Sequence, residues 1–168
     1  MKSIPEGYHT ITPTLLFKDG RKALEFYKQA FGAVETFVMP GPGGKGIMHA
    51  SLKIGNSNLM LADERPEGPR SVETLGGSPV TFYLYVENSE AAFKKAVSGG
   101  AAVLQPMQDA FWGDRIGTVK DPFGHSWTFA THTKDLSKDD IAKGAEEAMS
   151  ALSGQRPARR RDDVSARK

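Results

Sequence analysis

The densest chemistry in this chain sits in Phe111-Trp112-Gly113-Asp114-Arg115: two aromatic rings, a glycine, then an acid beside a base. Two arrangements are open to it. Either the acid and base close a salt bridge inside a hairpin turn, or Arg115 grips an anionic group while Trp112 stacks on a ring and Asp114 orients the guanidinium. The histidines come next, because imidazole changes charge near neutral pH and binds metals. His9, His49, His125 and His132 share no i, i+3 or i, i+4 spacing, so no helix face offers two of them together. His49 alternates with Ser51 and Lys53. It is either a hydrogen-bonded residue on a sheet surface or a cavity contact and candidate general base. His125 follows Gly124 in a turn and is expected to face solvent, while His9 precedes the first strand and has no assigned role.

Several chemistries are excluded by what the chain lacks. It has no cysteine, which removes disulfides, thiolate zinc sites and thiol nucleophiles together. No serine sits on a nucleophile elbow, and glycine-rich Gly41 to Gly46 carries no Gly-Lys-Ser/Thr, so it is not a phosphate cradle. The formal net charge is +2, but six basic residues against Asp162 and Asp163 put +4 on residues 155–168, leaving −2 on the rest. A basic tail on a mildly acidic body does not make a nucleic-acid surface, so no nucleic-acid partner is expected. Apolar runs such as Val80 to Val86 are far shorter than the roughly 20 residues that span a bilayer, and Met1 to Thr10 holds no secretory apolar segment. A cytoplasmic location without membrane attachment is the default expectation.

The elements that must position these residues follow from periodicity. Thr10 to Phe17 reads as a strand, with Pro13 pointing to an edge. Ala23, Leu24, Tyr27, Ala30 and Phe31 form one face of a helix over 21–31 that Gly32 ends. Strands are expected at Ala33 to Met39, Ile47 to Ile54 and Leu59 to Ala62. Residues 64–79, polar and rich in glycine and proline, read as a connection. The order then recurs: a strand at Val80 to Val86, a helix capped by Ser89 and ending at Gly99-Gly100, then strands at Val103 to Phe111, Arg115 to Lys120 and Ser126 to Thr131. The last two are joined by the turn Asp121-Pro122-Phe123-Gly124. The fold class is therefore α+β, two tandem β-α-β-β-β modules over 1–63 and 80–133. A C-terminal helix over 134–154 and a disordered basic tail over 155–168 follow.

Tandem β-α-β-β-β units with these phrases resemble the vicinal-oxygen-chelate superfamily of glyoxalases, bleomycin-resistance proteins and extradiol dioxygenases, within it the PhnB-like branch. The resemblance rests on Ala23-Leu24-Glu25-Phe26-Tyr27 with Phe31-Gly32-Ala33, on Met48-His49-Ala50, Leu59-Met60-Leu61-Ala62-Asp63, Phe111 to Arg115, and Asp121-Pro122-Phe123-Gly124-His125. It implies a curled mixed sheet around a cavity, and a homodimer.

Metal-dependent members of that superfamily place histidine, glutamine or glutamate on the first and last strand of each module. The corresponding positions here are Thr12, Met60, Thr81 and Thr128. Hydroxyls and a thioether supply neither imidazole nor carboxylate, so no metal and no other cofactor is expected, although an atypical divalent site stays open. With those threonines inward, period-two alternation puts Tyr83, Tyr85 and His132 on the same face, and Phe82, Leu84, Trp127 and Phe129 under the helices. The candidate ligand-binding set is thus Thr12, Tyr83, Tyr85, Trp112, Asp114, Arg115, Thr128 and His132, with His49 as catalytic candidate. Whether the chain is an enzyme stays open. The expected function is metal-independent binding of a small aromatic or oxygenated molecule. The alternatives are a lyase, isomerase or dioxygenase with an atypical site, and a dimeric interaction module.

Overall fold

The first module threads β1 (Thr14–Phe17), α1 (Gly20–Phe31), β2 (Val34–Pro40), β3 (Ile47–Ile54) and β4 (Ser57–Asp63) in a computed structural model that describes residues 2–154. The expected basic tail, 155–168, lies outside the described residues. Helix α1 starts where the Asp19 carboxylate accepts the Lys22 N–H at 3.1 Å, and it stops at Gly32, whose φ of +67° suits only glycine well. Strand β1 begins at Thr14 rather than Thr10. Pro13 has no N–H to extend the ladder, and only its carbonyl is used, by the Met60 N–H.

The connection is not featureless. It forms one short helix, α2 (Val72–Leu75), capped by Ser71. Glu64 pins it: its carboxylate accepts the Ser71 N–H at 2.7 Å and the Thr74 hydroxyl at 2.8 Å, which lower its pKa to about 2.

The second module repeats the order with β5 (Thr81–Tyr85), α3 (Ser89–Ser98), β6 (Ala102–Asp109), β7 (Asp114–Lys120) and β8 (Ser126–His132). The cap of α3 is Asn88, not Ser89. Ser89 is buried one step inside the helix, where its N–H meets Thr131 Oγ1 and its hydroxyl donates to the Arg115 carbonyl.

Each module makes a four-stranded mixed sheet, in the orders β1-β4-β3-β2 and β5-β8-β7-β6. The pairs β1/β4 and β5/β8 are parallel and the rest antiparallel. β1 and β5 are therefore both edges. One face of each sheet is covered by helix, and a single core joins Phe17, Tyr27 and Leu61 of the first module to Phe93, Trp127 and Phe129 of the second. Phe31 of α1 meets Trp127 and Phe129 of β8 edge-on, with centroids 5.0 and 5.3 Å away. Each such ring buries on the order of 150–250 Å², or roughly 4–6 kcal/mol at about 25 cal/mol per Å² before the entropy of ordering. No described helix is long and apolar enough to cross a membrane.

After β8 the chain folds back and enters α4 (Lys138–Gly154). This return is tied down by Gly113, whose carbonyl accepts from the Thr133 N–H, the Lys134 N–H and the Thr133 hydroxyl. Gly113 has φ of +98°, and a Cβ there would run into the Lys134 carbonyl. Gly113→Ala is expected to cost roughly 2–3 kcal/mol, read as a lower urea midpoint at unchanged slope.

Candidate functional site

Asp114 opens β7 and is the centre of a polar cluster. Register places it opposite His132 on β8, with Tyr83 and Tyr85 on β5 beyond. The residue is only 2% exposed. Its Oδ2 accepts the Tyr85 hydroxyl at 2.8 Å, the Trp112 indole N–H at 2.9 Å and, more weakly, the Tyr83 hydroxyl at 3.4 Å. Its Oδ1 lies 2.8 Å from His132 Nδ1. Burial alone pushes the Asp114 pKa up, but these bonds, led by that from His132, outweigh it and hold it below the usual carboxylate value. The tyrosines respond in the opposite sense. Tyr85 is pushed up to about 12, chiefly by its bond to Asp114, and Tyr83 is raised by desolvation and then by the same carboxylate.

His132 reaches a second acid, its Nε2 lying 3.1 Å from Asp135 Oδ1. Two carboxylates only accept, whereas neutral imidazole has one N–H, so this geometry calls for the doubly protonated ring. The bond to Asp114, then that to Asp135, raises the His132 pKa accordingly. The expected outcome is an imidazole that titrates above its ordinary value by NMR and falls back in Asp114→Asn. A raised value means that any stability from this bridge is complete below about pH 6.5 and fades as pH rises through the folded-state value.

The aromatic rings tethered by Asp114 stay open to solvent: Tyr83 is 44% and Tyr85 65% exposed, with centroids 5.2 Å apart. Both also line a cavity of about 570 Å³ between the lead-in to β1, the β3–β4 hairpin and β5. Thr12, His9, Asn56, Ser57 and Asn58 supply its other polar side chains. This volume lies within the range of small-molecule sites.

The sequence-derived candidates divide. Thr12, Tyr83 and Tyr85 line the cavity, while Trp112, Asp114 and His132 stand behind the tyrosines. Thr128 is buried beside Tyr83 in register and bonds Thr118 at 2.9 Å. Arg115 is elsewhere. Adjacent strand residues face opposite ways, and Arg115 pairs with Glu90 at 2.8 Å and Asp109 at 3.3 Å. Asp114 therefore does not orient its guanidinium, and the expected Asp114–Arg115 unit does not exist. His49 lies on the first sheet, bonded to Ser51 at 3.1 Å beside Phe37, and is not part of the Asp114 cluster. His125 is buried rather than solvent-facing. The linking residue Asp135 and the hairpin residues Asn56 and Asn58 carried no signal in the sequence, because the return of the chain after β8 brings the first to His132 and the meeting of the two modules brings the others to the cavity.

The residues present do not fit the metal of the superfamily. Parallel register pairs Thr14, not Thr12, with Met60, their Oγ1 and Sδ 3.7 Å apart, and pairs Tyr83, not Thr81, with Thr128. These positions still hold only hydroxyls and a thioether. Among the described residues no three histidine or acid side chains are arranged to hold a metal ion, and both ring nitrogens of His132 are already bonded to Asp114 and Asp135.

The chain has relatives in sequence and in fold. An uncharacterized protein of Mycobacterium tuberculosis (strain H37Rv) is 41% identical over 135 residues, 78% of this chain and 79% of that one. The crystal structure of TioX from Micromonospora sp. ML1 superposes with a TM-score of 0.58 at 26% identity, over 74% of this chain and 98% of that one. The PhnB protein from Bacillus cereus shares the fold, with a TM-score of 0.58 at 21% identity over 73% and 99%. The sequence profile of the glyoxalase/bleomycin resistance protein/dioxygenase superfamily matches residues 9–129, which takes in most of both modules, and the chain belongs to that superfamily.

Proposed function

We propose that this protein binds a small aromatic or oxygenated molecule, without a metal, in the cavity walled by Tyr83 and Tyr85. One observation carries the reading: both phenol hydroxyls are fixed from behind by a nearly solvent-free carboxylate while both rings remain uncovered. Ordering an exposed aromatic side chain is costly, and doing so before the ligand arrives removes that cost from binding. A flat ring would rest on the tyrosines, with its oxygens toward Thr12, Asn56 and Asn58.

Titrating the full chain with 2-naphthol in the presence of EDTA tests this. The expected result is saturable binding at a single site, seen by calorimetry and weakened at least tenfold in Tyr85→Ala. Binding that needs added metal, or none at all, overturns it. The imidazolium of His132, held beside two tyrosine hydroxyls, favours a second reading in which the site does acid–base chemistry on its ligand. Conversion of the bound molecule, lost in His132→Gln, would select that reading.

A homodimer belongs to the same proposal. Phe37 and Met39 stand exposed on β2 beside His49, an apolar face that a second copy would cover. Sedimentation of the wild-type chain should give a dimer and Phe37→Lys a monomer.

A further inference from the structure

The molecule has a second cavity, about 370 Å³, beneath the inter-module connection. Leu16, Val72, Val80 and Phe82 make its walls mainly apolar, and of the four polar residues on it the Thr14 hydroxyl is turned to Met60 Sδ and the Ser78 hydroxyl to the Val80 backbone, which leaves Arg70 and His125. The His125 side chain is 4% exposed, packed against Phe17 and Phe82 with centroids 5.3 and 6.3 Å away. Neither ring nitrogen has a hydrogen-bond partner among the described residues, and Nδ1 is fully enclosed. The nearest acid atom, Asp121 Oδ2, is 3.7 Å from Nδ1, beyond bonding range, and already accepts the Tyr27 hydroxyl and the Trp127 N–H. A proton on Nδ1 is favoured by that neighbouring carboxylate, which leaves Nε2 as an unused acceptor in the cavity wall. Arg70 is exposed and meets no carboxylate within 4.0 Å among the described residues, bonding only the Arg65 carbonyl at 3.4 Å. Glu64, the acid that feels its charge, is committed to Ser71 and Thr74.

An orphaned buried imidazole and a guanidinium with no carboxylate in contact, on one small and mainly apolar cavity, are complementary to a particular kind of molecule. We infer that this cavity is a second ligand site, separate from that of Tyr83 and Tyr85, for a small organic carboxylate. The carboxylate meets Arg70, the apolar body fills the space against Leu16, Val72 and Val80, and a hydroxyl at the far end donates to His125 Nε2.

The test uses the full chain, isotopically labelled at histidine, titrated with 4-hydroxybenzoate and followed by NMR and calorimetry. The His125 ring signals are expected to shift saturably. Benzoate, lacking the hydroxyl, and 4-hydroxybenzamide, lacking the charge, should each bind at least tenfold more weakly. Arg70→Gln, a surface change that leaves the core intact, should erase the preference for the acid over the amide. His125→Asn, if it folds, should erase the preference for the hydroxyl. No movement of the His125 signals at millimolar 4-hydroxybenzoate overturns the proposal. So does binding that Arg70→Gln leaves unchanged, or that Tyr85→Ala abolishes, since the molecule would then occupy the first cavity.

Discussion

Asp121→Ala is expected to lower the unfolding free energy by roughly 4 kcal/mol, a large part of the 5–15 kcal/mol typical of a folded domain. Asp121 is buried in the β7–β8 turn and holds four donors. Its Oδ1 accepts the N–H groups of Phe123 and His125, both at 2.9 Å, which shapes the turn. Its Oδ2 accepts the Tyr27 hydroxyl at 2.6 Å and the Trp127 indole N–H at 2.8 Å, which ties α1 of the first module to β8 of the second. Alanine would strand a phenol and an indole inside the core, where an unpaired donor costs about 1–3 kcal/mol. Tyr27→Phe removes one donor and leaves the carboxylate satisfied, so it should cost only about 1 kcal/mol. The pH dependence is a second check. Burial pushes the Asp121 pKa up, yet the adjoining His125, Tyr27 and Trp127 pull it below the ordinary 3.8. A depressed folded-state value means the stabilisation is present above about pH 4 and lost as pH falls through the lower value. Urea midpoints of the wild type should fall on acidification through that range, and those of Asp121→Asn should fall less. A wild-type and an Asp121→Ala chain of equal stability would contradict this account.

Asp114→Ala is the second large effect, and it acts on both stability and binding. Alanine takes the acceptor away from the Tyr83, Tyr85 and Trp112 donors and from the His132 ring together. His132 is 51% exposed and contributes little, so the cost comes from Tyr85 and Trp112, about 2 kcal/mol in all. The greater consequence is expected in the first cavity. With the phenols untethered, binding must order them, and affinity for 2-naphthol should fall about tenfold. The Tyr85 hydroxyl, pushed up to about 12 by Asp114, should titrate closer to the ordinary 10.0 in the variant, measurable by ultraviolet absorbance. Unchanged affinity beside a normalised Tyr85 would separate the carboxylate from ligand binding.

Much of this architecture was legible from local pattern. The stripe Ala23, Leu24, Tyr27 and Ala30, closed by Gly32, specifies α1, and the alternation along Thr81 to Tyr85 and Ser126 to His132 sorts Tyr83, Tyr85, Thr128 and His132 onto one face. Such periodicities belong to the covalent geometry of a helix or strand and need no knowledge of what lies alongside. The partners of those faces depend on distant segments. Asp114 was a candidate from the sequence, but reading β7 from Arg115 missed that Asp114 begins the strand and so faces away from its neighbour, toward tyrosines 29 and 31 positions earlier in the chain. His125 looks solvent-facing in a turn, but Val72 of the unanticipated α2 packs on Gly124 and closes that turn from above. The one-pleat offset between Thr12 and Thr14 came from the parallel pairing of β1 with β4, which joins strands separated by the whole module. Sequence alone determined which side chains share a face, because that is set within a few residues. Only the tertiary structure decided which faces meet, because strand order, register and chain return are settled by packing the whole core at once.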